Sequence, residues 1–368
     1  MLGWIWLFAL IPTIRVRSLL LTLGTLAGAL PVALFAFGLI GMAWANVSWV
    51  DCYYGFDSFH KLLAIPLLLV QFQRSPHGKR VLAGFVISAS ILLLVSWLLG
   101  VGLLSPVPNK TFGVVVKDRI AQGTIFTLCL CFLLELATEA LKRGQRREAL
   151  ACFALAGAFF LNVVLVTLSR TALVALPILL AIFGARHLRR RQMALFLSAL
   201  VAIGTLVWLS SPQLRDRVIR VPEEIRLFDH VRSRDTSAGA RVEFWRISSK
   251  IIGEAPLLGH GTGSINAEFA RVAGEETSAT NPHNQILAVW IQLGIIGVVI
   301  LIGMWIAHGW LFTAPGVAAW CGLAVVAESI IGSMFNSQLF DFTQGWIYVF
   351  GVGVAGGVVM RRRSLLQL

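Results

Sequence analysis

Charge is what this 368-residue sequence has least of: 13% of its residues are Asp, Glu, Lys or Arg, against 57% from the apolar set, and mean hydropathy is +0.80. A soluble domain carries roughly 25% charged residues, so this chain has too little polar side chain to cover a water-facing globule. Acidic residues are scarcer still, 18 against 31 Lys and Arg, for a net charge of +13. The bases fall in short clusters between apolar runs, without the aromatic interleaving or basic domain of a nucleic-acid binder, so they read as membrane topology signals. Of five cysteines, Cys129, Cys131, Cys152 and Cys321 lie in apolar runs and only Cys52 in a loop, which excludes a disulfide framework and a thiolate metal site. There is no Walker lysine, no Asp-x-Asp and no evident His/Asp/Glu cluster in the outward loop, and a hard divalent ion would need several such oxygen ligands. Internal repeats and a cleavable signal peptide are also lacking, since the first apolar run precedes its positive charges.

What is present in quantity is apolar runs of membrane-spanning length. About 20 helical residues cross a hydrocarbon core of about 30 Å. Such stretches occur at 18–45, 81–101, 119–141, 149–168, 193–209, 285–305, 310–330 and 343–360, with shorter ones at 59–72 and 171–185. In a bilayer every backbone amide must be bonded internally, so the expected fold is all-α and polytopic. Basic clusters at Arg15 and Arg17, Arg74 to Arg80, Lys142 to Arg147, Arg186 to Arg191 and Arg361 to Arg363 occupy every second connection. By the positive-inside rule these face the cytoplasm. The connections near Asp51 and Asp57, at Lys110, at Arg170, over 210–284 and over 333–345 then face outward. Leu2–Ile11 is an eleventh candidate, or half of a pair split at Pro31; the expectation is 11 or 12 helices. Three parts follow: residues 1–209 as N-terminal helices, 210–284 as a large outward loop with amphipathic helices, and 285–368 as C-terminal helices.

The long loop, with ten basic and ten acidic residues, is where chemistry is expected. From Gly239 to Gly253 the spacing of Val242, Trp245, Ser249 and Ile252, widened by Phe244 and Ile251, predicts a helix along the membrane surface. Arg241 falls in its first turn, where the helix dipole opposes a cation, so it either meets an anion or snorkels to lipid phosphate. The string Pro256-Leu257-Leu258-Gly259-His260-Gly261 reads as a tight turn between surface helices. Asn281-Pro282-His283-Asn284 directly precedes an apolar run; an Asn cap followed by Pro puts His283 in the opening turn of a membrane helix, where the dipole disfavours imidazolium. A neutral imidazole is what a general base at pH 7 needs, although interfacial histidines also serve in packing. Arg170, between two apolar runs, either has a partner or marks a loop. Asp341 lies on the same side as His283 and could orient it or a substrate hydroxyl. Glu135, Glu139 and Glu328 fall in or at the ends of spans, Glu139 within reach of Lys142 and Arg143; none joins the candidate site.

Taken in order, Ser169-Arg170-Thr171, Arg241 with Trp245, Pro256 to Gly261, and His283-Asn284 followed by Gly294 and Gly297 resemble the O-antigen ligase/polymerase superfamily. The spacing from His283-Asn284 to the two glycines looks most like the ligases. The resemblance covers residues 150–350. It implies a fold similar to the multi-span (GT-C-like) glycosyltransferases that use lipid-linked donors. It also implies transfer of O-antigen from undecaprenyl diphosphate to a hydroxyl of the lipid A-core oligosaccharide, at the periplasmic face of the inner membrane. By that similarity Arg170 and Arg241 would bind the diphosphate and His283 would serve the acceptor; His260, Asn284 and Asp341 are candidate supporting residues outside what the resemblance assigns. No cofactor, metal or nucleic acid is implied, membrane lipid is, and the oligomeric state is open. The alternatives are a polysaccharide polymerase or protein O-oligosaccharyltransferase with the same donor, or a lipid-glycan flippase or other transporter, which would show paired inverted repeats and broken helices at midplane.

Overall fold

The structure, a computed structural model, describes residues 15–105, 112–212, 215–216, 219–220, 237–274 and 281–365. The candidate helix Leu2–Ile11, Lys110 and much of the charged first half of the long loop lie outside the described residues. Within them the regular structure is helical: α1 Val16–Leu23, α2 Leu26–Ile40, α3 Trp49–Asp57, α4 Ala64–Arg74, α5 Gly78–Gly100, α6 Arg119–Lys142, α7 Arg146–Asn162, α8 Arg170–His187, α9 Arg190–Ser210, α10 Ser237–Glu254, α11 Ile265–Ala273, α12 Gln285–Leu311, α13 Val317–Ser333 and α14 Phe342–Leu365. Among the described residues eight helical segments are long and apolar enough to cross a membrane, and α13, at 17 residues, is a shorter apolar helix. The protein is a multi-pass membrane protein.

Two expectations change. Pro31 sits inside α2 rather than at a break; the chain breaks instead before Thr25, whose side chain accepts the Gly28 N–H and caps α2. Proline is tolerated within membrane helices because neighbouring groups take up the freed carbonyl. The stretch 59–72 folds as a 3₁₀ turn, His60–Leu63, and the 11-residue α4. At 1.5 Å per residue α4 is about 16 Å long, too short to span. It is a core element instead, with Ile65, Leu68, Leu69 and Val70 at most 1% exposed. A run of small residues on α14 lets it approach: a Cβ on Gly353 would meet the Leu68 side chain, and one on Gly357 the Phe72 side chain and the Leu69 carbonyl.

The chain forms two compact units, one of residues 1–79 with 230–368 and one of residues 80–229. The second unit centres on α6, which buries residues on every side, among them Phe126, Leu128, Cys129 and Phe132. Across α6 and α8, His187 meets Glu135 at 2.7 Å. Glu139 makes the expected helix-end pair with Lys142 at 2.8 Å. None of the five cysteines is in a disulfide.

In the first unit the decisive feature is a break in α12. Gly294 has φ 62° and ψ −166°, a conformation open essentially to glycine alone. The turn 256–261 enters that break. Pro256 O accepts from Ile295 N at 2.9 Å and from Trp290 Nε1 at 3.0 Å, while His260 N donates to Ile291 O at 2.8 Å and Gly261 N to Gln292 O at 2.9 Å. Carbonyls freed by the break are thereby satisfied by the turn. The fit is close on both sides: a Cβ on Gly294 would overlap the Leu257 carbonyl, and one on Gly259 would lie 2.6 Å from the Gln292 carbonyl carbon. Gly294→Ala should therefore destabilise the protein by about 1–3 kcal/mol, measured as thermal unfolding in detergent. Gly309→Ala, in the same helix with nothing within 4 Å, should be neutral or slightly stabilising. Equal melting temperatures for the two variants would refute the docked-turn account.

Candidate functional site

His283 stands just outside α12. The cap is Asn284, whose Oδ1 accepts from Ile286 N at 2.9 Å and Leu287 N at 3.2 Å, so the helix starts three residues later than an Asn281 cap would place it. His283 itself adopts φ 49°. Its N–H donates to Asn281 Oδ1 at 2.9 Å, an Asx turn that stabilises this unusual backbone for a non-glycine residue. Among the described residues Leu168 is the other non-glycine with positive φ, at 45°, directly before Ser169 and Arg170. Strained backbone of this kind clusters at functional sites, and here it marks both motif positions.

The imidazole is held by residues the sequence did not single out. Nδ1–H donates to Asn336 Oδ1 at 3.2 Å, which leaves Nε2 as the acceptor nitrogen. Phe244 stacks on the ring with centroids 5.8 Å apart and an interplanar angle of 21°. Ser337 Oγ donates to Asn281 Oδ1 at 2.7 Å, and Asn284 Nδ2 to Met334 O at 3.4 Å, so the 333–341 connection grips the His283 turn from both ends. Asp341 Oδ1 accepts from Thr343 N at 3.1 Å, opening α14, and its carbonyl accepts from buried Lys61 at 2.8 Å. Next to the histidine, Gln285 Oε1 accepts from Leu339 N, and its Nε2, like both amide atoms of Gln338, is buried without a hydrogen-bonding partner among the described residues.

Arg241 reaches the same place by way of α10. The face of that helix differs from the expected one: Ile247 and Ile251 are buried with Phe269 of α11 and Ile291 of α12, Phe244 packs against them, and Val242 and Ser249 are exposed. The apolar stripe is thus covered by protein. Phe244 is brought over His283, and Arg241, three residues earlier in the second turn of α10, shares that side of the helix. Its charge acts on His283. Burial lowers the His283 pKa below its ordinary 6.5; the Asn336 hydrogen bond opposes it in part, and the Arg241 charge, the smallest of the three influences, adds to the lowering. The shift favours the neutral ring at pH 7.

His260 is structural. Its Nε2–H donates to the Ile251 carbonyl at 2.9 Å and its Nδ1 lies 3.6 Å from Glu268. With Glu254 and Glu268 it forms a His/Glu cluster of the kind the sequence did not reveal, with ligand atoms within 4.8 Å of one another. Arg271 already sits there as a cation, donating Nε to Glu268 at 2.8 Å and a terminal amine to Glu254, and these two bonds raise its pKa.

Arg170 belongs to the second unit, as the first residue of α8. Ser169 Oγ caps that helix through Ala172 N, after a π-helical turn over Val163–Thr167. A buried polar network holds the turn: Gln122 Nε2 donates to Thr167 Oγ1, Ser96 Oγ and Gly113 O at 2.9–3.0 Å, and Thr167 Oγ1 donates to Asn162 Oδ1 at 2.8 Å.

The neutral state of His283 is directly measurable. In histidine-labelled protein its NMR titration should fall below 6.5, move up in Arg241→Gln as a like charge is removed, and move further down in Asn336→Ala. A midpoint at or above 6.5 that ignores Arg241 would refute this electrostatic account.

The comparisons with known proteins follow these elements. Over 258 residues the chain is 25% identical to an uncharacterized protein of Haemophilus influenzae (strain ATCC 51907 / DSM 11121 / KW20 / Rd), covering 66% of this chain and 61% of that protein. The chain thus spans less than two thirds of that relative's length. A chain of the solved structure described as "Structural coordination of polymerization and crosslinking by a peptidoglycan synthase complex" aligns over 93% of this chain and 98% of its own, with a TM-score of 0.49 and 19% identity. Residues 153–302 match the family model described as O-Antigen ligase. That stretch holds Arg170, Arg241, the docked turn, His283-Asn284, Gly294 and Gly297, and the match supports the chain as a member of the O-antigen ligase/polymerase superfamily.

Proposed function

We propose that this protein is a glycosyltransferase that moves an O-antigen glycan from undecaprenyl diphosphate to a hydroxyl of the lipid A-core oligosaccharide, at the periplasmic face of the inner membrane. One observation carries the reading: within the stretch that matches the O-antigen ligase model, His283 holds its Nδ1 on Asn336, which leaves Nε2 to accept a proton, and burial with the Arg241 charge favours the neutral ring.

The chemistry is a single displacement. The acceptor hydroxyl oxygen forms a bond to the anomeric carbon while the bond from that carbon to the diphosphate oxygen breaks. The hydroxyl proton passes to His283 Nε2, and the electron pair leaves with the diphosphate. Neutral Nε2 can take that proton, because Asn336 holds the other ring proton on Nδ1. A guanidinium offers planar, bidentate donors to phosphate oxygens and neutralises the charge that develops on them, the work a metal ion does in other transferases. Arg241 is the first such group in this reading. The family resemblance adds Arg170. Displacement in one step inverts configuration at the anomeric carbon.

The test is purified protein reconstituted with undecaprenyl diphosphate glycan and rough lipopolysaccharide in the presence of EDTA. Wild type should produce a laddered, capped lipopolysaccharide. Growth of the carrier-bound glycan in the absence of lipid A acceptor would instead identify a polymerase. His283→Ala should lose about 10²–10⁴-fold in turnover while keeping donor binding. Arg241→Ala and Arg170→Ala should weaken donor binding and turnover together, with Lys at either position a poor substitute. Turnover of His283→Ala within a few-fold of wild type would sink the base assignment.

The pH dependence follows from the direction of the His283 shift. Since its pKa is lowered, the neutral form persists at pH 7 and is lost only as pH falls through a value below 6.5. The acid limb of the turnover profile should therefore lie below pH 6.5. A rising limb centred above pH 7 would contradict it.

A further inference from the structure

The first unit contains a half-open cavity of about 280 Å³ that the transfer chemistry above does not use. Asp51 and Tyr54 of α3, Ser58, Asn266 of α11, Gln292 of α12 and Phe340 line it. The lining residues include a carboxylate, two amides, two hydroxyls and two aromatic rings, and no Lys or Arg. Phosphate is disfavoured there by the carboxylate and by the lack of a cation. A lipid tail is disfavoured by the polar side chains. Sugar hydroxyls suit it, because each can donate to a carboxylate or amide oxygen and accept from an amide or hydroxyl, while aromatic faces pack on the apolar C–H face of the ring.

The walls are built rather than incidental. Gln292 Oε1 accepts from Gly263 N at 2.8 Å and its Nε2 donates to Ala288 O at 3.1 Å, which ties α12 to the loop entering α11. Gly263, at φ 91°, lies so close to α3 that a Cβ there would come within 2.8 Å of Cys52 Cα. Asp51 is oriented by Ser48, whose Oγ donates to Oδ2 at 2.6 Å. Phe340 is set edge-on against fully buried Phe59, with centroids 4.8 Å apart. The same connection that supplies Phe340 supplies Asn336 to His283, and Gln285 Oε1 accepts from Phe340 N at 3.3 Å. A single short segment therefore carries a wall of the cavity and the partner of the base.

We propose that this cavity is a saccharide subsite that holds an uncharged sugar unit of the transferred or accepting glycan beside the His283 turn. The proposal rests on the glycan-transfer reading for its ligand class, and its test is a binding measurement that needs no turnover. The full chain in lipid nanodiscs would be titrated with three probes: dephosphorylated core oligosaccharide, carrier-free O-antigen glycan, and undecaprenyl diphosphate lacking sugar. Asp51→Ala and Asn266→Ala should each weaken one of the two glycans by about ten-fold, the effect of one lost hydrogen bond, while leaving undecaprenyl diphosphate binding unchanged. Loss for the core oligosaccharide identifies an acceptor subsite, and loss for the O-antigen glycan a donor subsite. An unaltered His283 titration certifies that each variant is folded. Wild-type affinity of both glycans in the Asp51→Ala/Asn266→Ala double variant, or no binding of either glycan to wild type, overturns the subsite. Loss of transfer in His283→Ala with these glycan affinities intact keeps the two claims separate.

Discussion

The site depends on one piece of backbone docking: the turn 256–261 filling the break in α12 at Gly294. A break in a membrane helix leaves amides and carbonyls without partners, and no water is at hand to satisfy them. Here the Pro256 carbonyl and the His260 and Gly261 amides replace the missing intrahelical bonds. The docked turn in turn anchors α10 and α11, whose buried residues Ile247, Ile251 and Phe269 close over Ile291 of α12. Everything that the long loop brings to the histidine hangs on that contact. The pairing of the Pro256–Gly261 string with Gly294 explains why two motifs 33 residues apart belong to one pattern.

From there the structure controls a single proton. Partial burial and the charge of Arg241 push His283 towards its neutral form, and its tautomer is set by an amide oxygen rather than a carboxylate. That choice matters. A carboxylate partner would favour imidazolium and raise the pKa, whereas an amide fixes the ring without adding charge. Arg241 contributes to the neutral state by its charge, and under the proposed function the same guanidinium would offer donors to phosphate.

Much of this was legible in the sequence, and the misses have physical causes. Hydropathy and the alternation of basic clusters revealed a polytopic helical fold, because membrane burial is written into composition. His283 and Arg241 stood out as polar residues at apolar boundaries, and the structure brings these two together. Asn336 did not stand out, and Phe244 stood out only as part of an apolar face, since an amide or a phenyl ring gains its role at the imidazole only from a partner 53 or 39 residues distant. The Glu254, His260 and Glu268 cluster was invisible for the same reason: its members share no regular spacing. The cap was misplaced by three residues because Asn281 and Asn284 are equally good caps locally. The left-handed backbone at His283, bonded through Asn281, decides between them.

By itself the sequence determined that the chain is helical, crosses the membrane repeatedly and concentrates polar chemistry near residues 241–283, because each of these follows from the local balance of apolar and charged side chains. Only the tertiary structure decided which helices form a core. Arg119–Lys142 and Arg190–Ser210 have nearly the same hydropathy, 1.9 and 2.1, yet 78% of the first window is buried within the protein and none of the second. Lipid and protein interior are alike in polarity, so composition cannot distinguish them. Packing geometry can, through glycines where backbones must approach and through the amides, rings and carbonyls that distant segments bring to one imidazole.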